Sequence, residues 1–384
     1  YTGEDIVEFQ CHGGPIILRR VLDATLEAGA RAAEPGEFTQ RAFLNGRIDL
    51  TQAEAVADLV NATSEKAHQM ALDHLQGRLG DEITEQRERV SEALTLVEAA
   101  IDFSHEEHVY QIESDEIFER LDGALETLRR LEEQFDRGRR QREGIRVVIL
   151  GRTNAGKSTL FNALHGTERA IVTPVAGTTR DFLEEEIHLG GVALRVIDTA
   201  GLREDADEVE EIGIERSREL QQKADLVVWV VDRSRGLADD EADELAALAD
   251  QDVASLIAVN KVDLADEMTD EDRAVLEQFD HTVETSFETD PPEGLDELSA
   301  TIEAIGEQLT SGEGVLLSRA RHLEHVREAI DSLERARNAI DRQMEHEFVA
   351  VDLRDTLDAL GEIVGHVSTE DILGNIFSEF CVGK

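Results

Sequence analysis

Apolar and polar positions follow three different rhythms along the 384-residue chain. Residues 1 to 46 mix an extended apolar piece, DIVEFQ, with a Gly-Pro turn, HGGP, and a helix-like stretch, IILRRVLDATLEAGA, which together read as the tail of an α/β domain. From 47 to 143 apolar residues recur every three or four positions and proline is absent. LTQAEAVADLVNATSEKAHQMALDHLQGRL, EQRERVSEALTLVEAAIDF and IFERLDGALETLRRLEEQFDRGRR thus predict long helices with one face on a core. Residues 144 to 308 change to short β-branched runs, IRVVIL, VALRVID, ADLVVWVVD and SLIAVN, separated by helix-length segments. That alternation predicts a parallel sheet with helices on both faces. From 309 to 384 the helical spacing returns in RHLEHVREAIDSLERARNAIDRQM, LRDTLDALGEIVG and DILGNIFSEFCVGK.

An amphipathic helix needs a partner for its apolar stripe. The two helical flanks can supply it to one another, which predicts a discontinuous helical bundle with the α/β unit inserted between its parts. Chain order alone is also compatible with three separate beads.

Composition changes the picture in two places. No apolar run reaches the 18 residues of a membrane span. Two cysteines, Cys11 and Cys381, are too few for a disulfide framework, fit a reducing compartment and favour the cytosol. The 38 Lys and Arg against 85 Asp and Glu give a net charge of −47, yet 41% of residues are apolar. An acidic excess spread through every segment describes a globular protein kept soluble in high salt, where a Debye length of about 3 Å at 1 M screens self-repulsion. Net charge therefore neither supports nor excludes a nucleic-acid partner.

The candidate chemistry lies in the α/β segment. GRTNAGKS, Gly151 to Ser158, fits the phosphate-loop pattern between a predicted strand and a predicted helix. The backbone of Asn154, Ala155 and Gly156 and the helix start at Lys157, Ser158 and Thr159 would wrap phosphates. Lys157 would reach the β/γ oxygens and the Ser158 hydroxyl a Mg²⁺ ion. DTAG, formed by Asp198, Thr199, Ala200 and Gly201, ends a predicted strand, where Asp198 would hold the Mg²⁺ shell and the Gly201 N–H sense a γ-phosphate. NKVD supplies Asn260, Lys261 and Asp263, whose carboxylate would accept the N1–H and N2–H₂ donors of guanine. Between the first two motifs, Thr178 or Thr179 of PVAGTTRD would complete the Mg²⁺ coordination when GTP is bound. The last guanine loop is weaker: VETSFETD offers Ser286 followed by Phe287. Leu202 stands where Ras-like proteins carry the glutamine that orients water, so catalytic help must come from elsewhere. Arg203, Glu204, Asp205, Asp207, Glu208, Glu210 and Glu211 all lie just beyond, and charge alone does not choose among them.

With these residues in place the chain resembles the MnmE (TrmE) family of tRNA-modification GTPases. The resemblance runs through YTGEDIVEFQCHGGP, PGEFTQRAFLNGRIDLTQAEAVADLV, GRTNAGKS, AGTTRD, DTAGLRE, EVEEIGIERS and FCVGK. It implies a Ras-like P-loop GTPase domain inserted in a helical domain and preceded by a folate-binding domain. Beginning at Tyr1, this chain looks like a member lacking the first part of that domain. The resemblance implies K⁺-assisted pairing of GTPase domains, with K⁺ at Asn154, Thr173, Val175 and Thr178, and Mg²⁺ at Ser158 and Thr179. The loop carrying those threonines, with Pro174, Ala176 and Gly177, would line the nucleotide. Glu210 becomes the water-positioning carboxylate, beside Lys157 and Thr179 in the catalytic set. Glu8, Arg47 and Lys384 fall at folate-contacting positions (5-formyl- or methylene-tetrahydrofolate), and Cys381 matches the family's C-terminal cysteine, where a packing role beside Phe380 is the other reading. The implied partners are a second copy of the full-length chain, joined through the folate domain, the flavoprotein MnmG (GidA) in a heterotetramer, and tRNA, whose wobble uridine receives an aminomethyl or carboxymethylaminomethyl group at C5. Two competing readings are a ribosome-assembly GTPase switch, which would leave the folate-domain and FCVGK signatures unexplained, and a nucleotide-binding scaffold without turnover.

Overall fold

Long stretches with apolar residues at helical spacing must close on one another, and the α/β stretch must cover both faces of its strands. The computed structural model, which describes residues 1–102, 114–166, 171–173, 184–198, 220–289, 291–312, 314–366, 370–378, 380 and 383, shows how each is met. The first helices are α1 (Pro15–Glu27), α2 (Glu37–Leu44), α3 (Leu50–Asn61), α4 (Glu65–Leu75), α5 (Arg78–Asp102), α6 (Ser114–Glu133) and α7 (Phe135–Glu143). Then follow β1 (Ile145–Leu150), α8 (Lys157–His165), β2 (Ile171–Thr173), β3 (Glu184–Leu189), β4 (Val192–Asp198), β5 (Leu226–Asp232), α9 (Asp239–Ala249), β6 (Ala254–Asn260), α10 (Asp270–Leu276) and β7 (Thr282–Thr285). The chain ends with α11 (Leu295–Thr310), α12 (Ala320–Asp341), α13 (His346–Val364) and α14 (Glu370–Ser378). It divides into two compact units: Tyr1–Ala62 with Lys66–Gly138 and Gly314–Lys384, and Thr63–Glu65 with Arg139–Glu313.

In the first unit α5 and α6 pack with α12 and α13, each helix touching two others in the ring α5–α6–α12–α13. Leu79, Ile83, Val90, Ala93 and Val97 of α5 meet Leu121, Leu125 and Leu128 of α6, and from beyond the α/β segment Val326, Ile330 and Leu333 of α12 and Leu353, Leu360 and Ile363 of α13. The two flanks therefore share one core, the discontinuous bundle rather than separate beads. Exposed ion pairs cross the seams, among them Arg129–Glu334, Arg327–Glu132 and Arg354–Glu98. Each contributes less than about 1 kcal/mol and weakens with salt. A buried polar cluster is the exception: Glu54 of α3, 2% exposed, accepts from His322 Nε2 at 2.7 Å and from Arg321 at 3.2 Å, and Arg319 pairs with Asp58 at 2.7 Å. A smaller cluster joins Leu50, Ala53 and Ala57 of α3 to Ile376, Phe377 and Phe380. Helix α1 buries none of its residues, and DIVEFQ forms no sheet ladder among the described residues.

At Gly138, where α7 leaves the bundle, an added Cβ would fall 2.0 Å from the Leu317 carbonyl oxygen of the returning chain. Backbone cannot yield as a side-chain tip can, so Gly138→Ala is expected to destabilise the protein by about 3 kcal/mol. Gly123→Ala in α6 meets only the Arg89 guanidinium, at 2.8 Å, and is expected to be neutral or to stabilise by up to about 1 kcal/mol through helix propensity. Urea unfolding of the two variants measures the contrast.

In the second unit seven strands form one sheet in the order β2-β3-β4-β1-β5-β6-β7. Strands β4, β1, β5, β6 and β7 run parallel, and alternate residues bury on opposite faces. Val147, Ile149, Val228 and Val230 meet Leu160 of α8 and Leu298 and Ile302 of α11. Val148, Leu150, Val227 and Val231 meet Leu245 and Leu248 of α9 and Leu276 of α10. The expected parallel sheet needs one correction: β2 and β3 are antiparallel additions at the β4 edge. EEEIHL of β3 opens with three carboxylates, which hides the strand from a search for apolar runs. Where the segment begins, Asp225 takes Arg139 at 2.6 Å, Arg140 at 2.7 Å and the Arg146 N–H at 2.9 Å.

Candidate functional site

The carboxyl ends of the parallel strands bring the motifs together. β1 runs into the phosphate loop, β4 ends at Asp198 opposite Ile149, β5 ends at Asp232 and β6 at Asn260, which are register partners, and β7 leads to Ser286. Within the loop Asn154 adopts φ +65° and Gly156 φ +113°. Gly156 is required twice over, by that backbone angle and because a Cβ there would lie 2.1 Å from Asn260 Nδ2. Lys157, the first residue of α8, is buried, and its Nζ donates to the carbonyls of Gly151 at 2.8 Å and Arg152 at 2.7 Å. The ammonium is thus held across the loop. Helix α8 has no side-chain N-cap, which leaves its first turn, with exposed Ser158 and half-buried Thr159, facing the loop's concavity as an anion site.

The guanine motif grips the same loop. Asn260 Nδ2 donates to the Ala155 carbonyl at 2.8 Å and Lys261 Nζ to the Asn154 carbonyl at 2.8 Å. Asp263 Oδ1 accepts from the Ser286 hydroxyl at 2.6 Å. Ser286 is buried, and its N–H donates to the Glu293 carbonyl at 3.0 Å, so its side chain rather than its own amide is what meets the motif. Thr173 closes β2 in register with Glu186. Pro174, Val175, Ala176, Gly177, Thr178, Thr179, Thr199, Ala200, Gly201, Leu202, Glu210, Cys381 and Lys384 lie outside the described residues. Glu8 and Arg47 are both exposed, and no hydrogen bond or ion pair joins them.

Two groups that motif reading passed over belong to this site. Asp232 is 7% exposed and binds Lys261 Nζ at 2.6 Å. Burial pushes its carboxyl up, but hydrogen bonds from Lys261 and Ser234 outweigh that and hold it below the usual carboxylate range. Arg152 of the phosphate loop pairs with Asp240 at 3.2 Å, and next to it buried Glu241 accepts from Trp229 Nε1 at 3.2 Å, with burial raising the Glu241 pKa. The available signal was positional: an acid closing a strand beside the one that carries NKVD.

A phosphate loop, an aspartate on the adjoining strand and an NKVD turn clasping that loop define a Ras-like P-loop GTP-binding protein. Residues 50–381 match the family described as the MnmE helical domain, and residues 1–47 match the GTP-binding protein TrmE N-terminus. The whole chain aligns with proteins named tRNA modification GTPase MnmE from Acetivibrio thermocellus (41% identical, 83% of that protein), Aquifex aeolicus (43%, 84%) and Salinibacter ruber (42%, 83%). The chain belongs to the MnmE family of tRNA modification GTPases, and it is a GTP-hydrolysing enzyme. Mg²⁺ use goes with this class, and the Ser158 hydroxyl at the start of α8 is a hard oxygen donor of the kind that ion takes. Bound there, the ion would neutralise charge on the β- and γ-phosphates.

Proposed function

We propose that this chain hydrolyses GTP in a K⁺-dependent cycle that drives modification of C5 of the wobble uridine of certain tRNAs. Its partner is the flavoprotein MnmG, in a heterotetramer, and the carbon comes from a tetrahydrofolate. The observation that carries the reading is the continuity of the likeness to tRNA modification GTPases, about 40% identity over the entire chain, combined with a guanine loop bonded to the phosphate loop. In this reading 1–46 is folate-domain sequence, 47–143 and 309–384 form the helical domain and 144–308 is the GTPase domain. Glu8, Arg47 and Lys384 contact the folate, the full-length chains dimerise through the folate domain, and the protein works in the cytoplasm.

In the cycle, Lys157 supplies positive charge to the β/γ oxygens as the bond between the γ-phosphorus and the β–γ bridging oxygen breaks and GDP leaves, and Asp263 selects guanine. Ser158 and Thr179 hold Mg²⁺. Asn154, Thr173, Val175 and Thr178 hold K⁺, a cation in the place where other GTPases use an arginine. Glu210 orients the attacking water, a task Leu202 cannot perform. The flavoprotein supplies most of the grip on tRNA, since no Lys- and Arg-rich RNA-binding module stands out in a chain of 38 basic and 85 acidic residues.

GTP turnover at matched high ionic strength is expected to be about tenfold or more faster in KCl than in NaCl, and Glu210→Gln is expected to remove about tenfold or more of the KCl rate. Equal rates in both salts, unchanged by Glu210→Gln, would reject the cation-assisted mechanism. Formation of the modified uridine in a reaction with MnmG, folate donor and tRNA, dependent on GTP hydrolysis, tests the role itself.

A further inference from the structure

We propose that Asp232 is a positioning residue for nucleotide binding: it orients Lys261 so that the guanine loop holds the phosphate loop in its binding conformation. The proposal rests on reading Asn260, Lys261 and Asp263 as the guanine loop. Among the described residues three non-glycine residues have positive φ, and two of them, Asn154 at +65° and Lys261 at +67°, are bonded to each other through Lys261 Nζ and the Asn154 carbonyl. Such backbone conformations persist where the surroundings over-determine them. Here one ammonium bridges both strained turns, and Asp232 Oδ2 lies 2.6 Å from it.

Asp232 is itself fixed. It ends β5 in register with Asn260, and its Oδ1 takes the Ser234 hydroxyl at 2.6 Å and the Ser234 N–H at 3.1 Å. Arg235 stands 3.6 Å from Oδ2. The two carboxylate oxygens thus divide the work: Oδ1 closes the turn after β5, and Oδ2 aims Lys261. With Asn260 on the Ala155 carbonyl, the adjacent residues Asn260 and Lys261 pin two successive carbonyls of the phosphate loop. The amides just beyond, at the start of α8, would face the β-phosphate, which GTP and GDP share, so both nucleotides should feel a change at Asp232 alike.

That division makes Asp232→Asn a selective probe. Its amide oxygen keeps the two Ser234 bonds, while its NH₂ meets the Lys261 ammonium donor to donor. Equilibrium binding of fluorescent GTP and GDP analogues to the whole chain is the readout, with Asp232→Asn, Lys261→Met, the double variant and Asp232→Glu compared. The expected result is about a tenfold loss for GTP and GDP together in each single variant. The double variant should be no weaker than Lys261→Met alone, Asp232→Glu should recover part of the loss, and guanine preference should be unchanged. Additive losses in the double variant, or undiminished affinity in a folded Asp232→Asn protein, would overturn the proposal. If Asp232→Asn does not fold, Asp232→Glu against Lys261→Met carries the same test, and failure of that pair to couple overturns it equally. An Asp263→Asn variant that kept its guanine preference would instead overturn the guanine-loop reading, whatever happens at Asp232.

Discussion

Replacing Asp263 with asparagine is expected to lower GTP affinity by about 10²- to 10⁴-fold and to leave a protein that prefers xanthosine triphosphate. The size follows from the two hydrogen bonds involved. The carboxylate would accept from N1–H and N2–H₂ of guanine, and each charge-assisted bond is worth about 1.5–3 kcal/mol. Xanthine carries a carbonyl at C2 where guanine has its amino group, so it needs a donor there, which an asparagine amide provides. Ser286 already fixes one oxygen of Asp263 at 2.6 Å, and the amide oxygen of the substituted side chain can accept the same hydroxyl. The substitution should therefore exchange recognition without loosening the loop. Competition between GTP and xanthosine triphosphate for the site reads it out, and an unchanged order of preference would be fatal to Asp263 as the base-selecting residue.

The second large effect lies far from the nucleotide. Glu54→Ala is expected to destabilise the helical unit by about 3 kcal/mol at neutral pH, because buried His322 and half-buried Arg321 would both lose their carboxylate partner. In the wild type, burial opposes ionisation of Glu54, but His322 and Arg321 outweigh it and hold the carboxyl well below its usual range. Burial draws the His322 pKa down to about 4, against the pull of Glu54. A neutral ring also suits the contacts, since His322 Nδ1 has no hydrogen-bond partner and a proton there would be a buried unsatisfied donor. Both depressions act in the same direction. The unfolded chain takes up a proton on the histidine near pH 6.5 and on the glutamate near 4.5, before the folded chain does. Stability should therefore be full above about pH 7 and fall steadily from about pH 6.5 to 4. Urea titrations across that range should show the slope, with His322→Gln removing the part between 6.5 and 4.5. A wild-type curve flat to pH 4 would contradict the neutral-histidine assignment.

Strands buried on both faces, such as β1 and β5, announce themselves as unbroken runs like IRVVIL and LVVWVVD. Their place in a nucleotide-binding sheet was legible because NAGKS and NKVD follow two of the sheet's strands at once. β3 was not, since its EEEIHL must be read against a neighbouring hairpin strand rather than a core. The helical stretch from 50 to 79 was legible as helix but not as three, because the breaks at Ala62 and Gly77 depend on local turns rather than on spacing. In the site, motifs picked out the residues expected to meet nucleotide, while Asp232 went unmarked. One carboxylate among 85 acidic residues has no signature until the fold sets it beside Lys261.

The shared core of α5, α6, α12 and α13 also has a consequence in time. During synthesis the first two helices of this core emerge with their apolar faces uncovered, and their partners follow about 190 to 270 residues later, roughly 10–50 s at ribosomal speeds of about 5–20 residues per second. Over that interval α5 and α6 are a hydrophobic surface waiting for its cover, exposed to chaperones and to other nascent chains. If the intervening α/β segment folds first, it replaces a long floppy loop with a structured spacer and shortens the search for closure. The order of synthesis is thus written into the chain's connectivity: the whole nucleotide-binding segment is made before the second half of the bundle, and can fold while the first half waits.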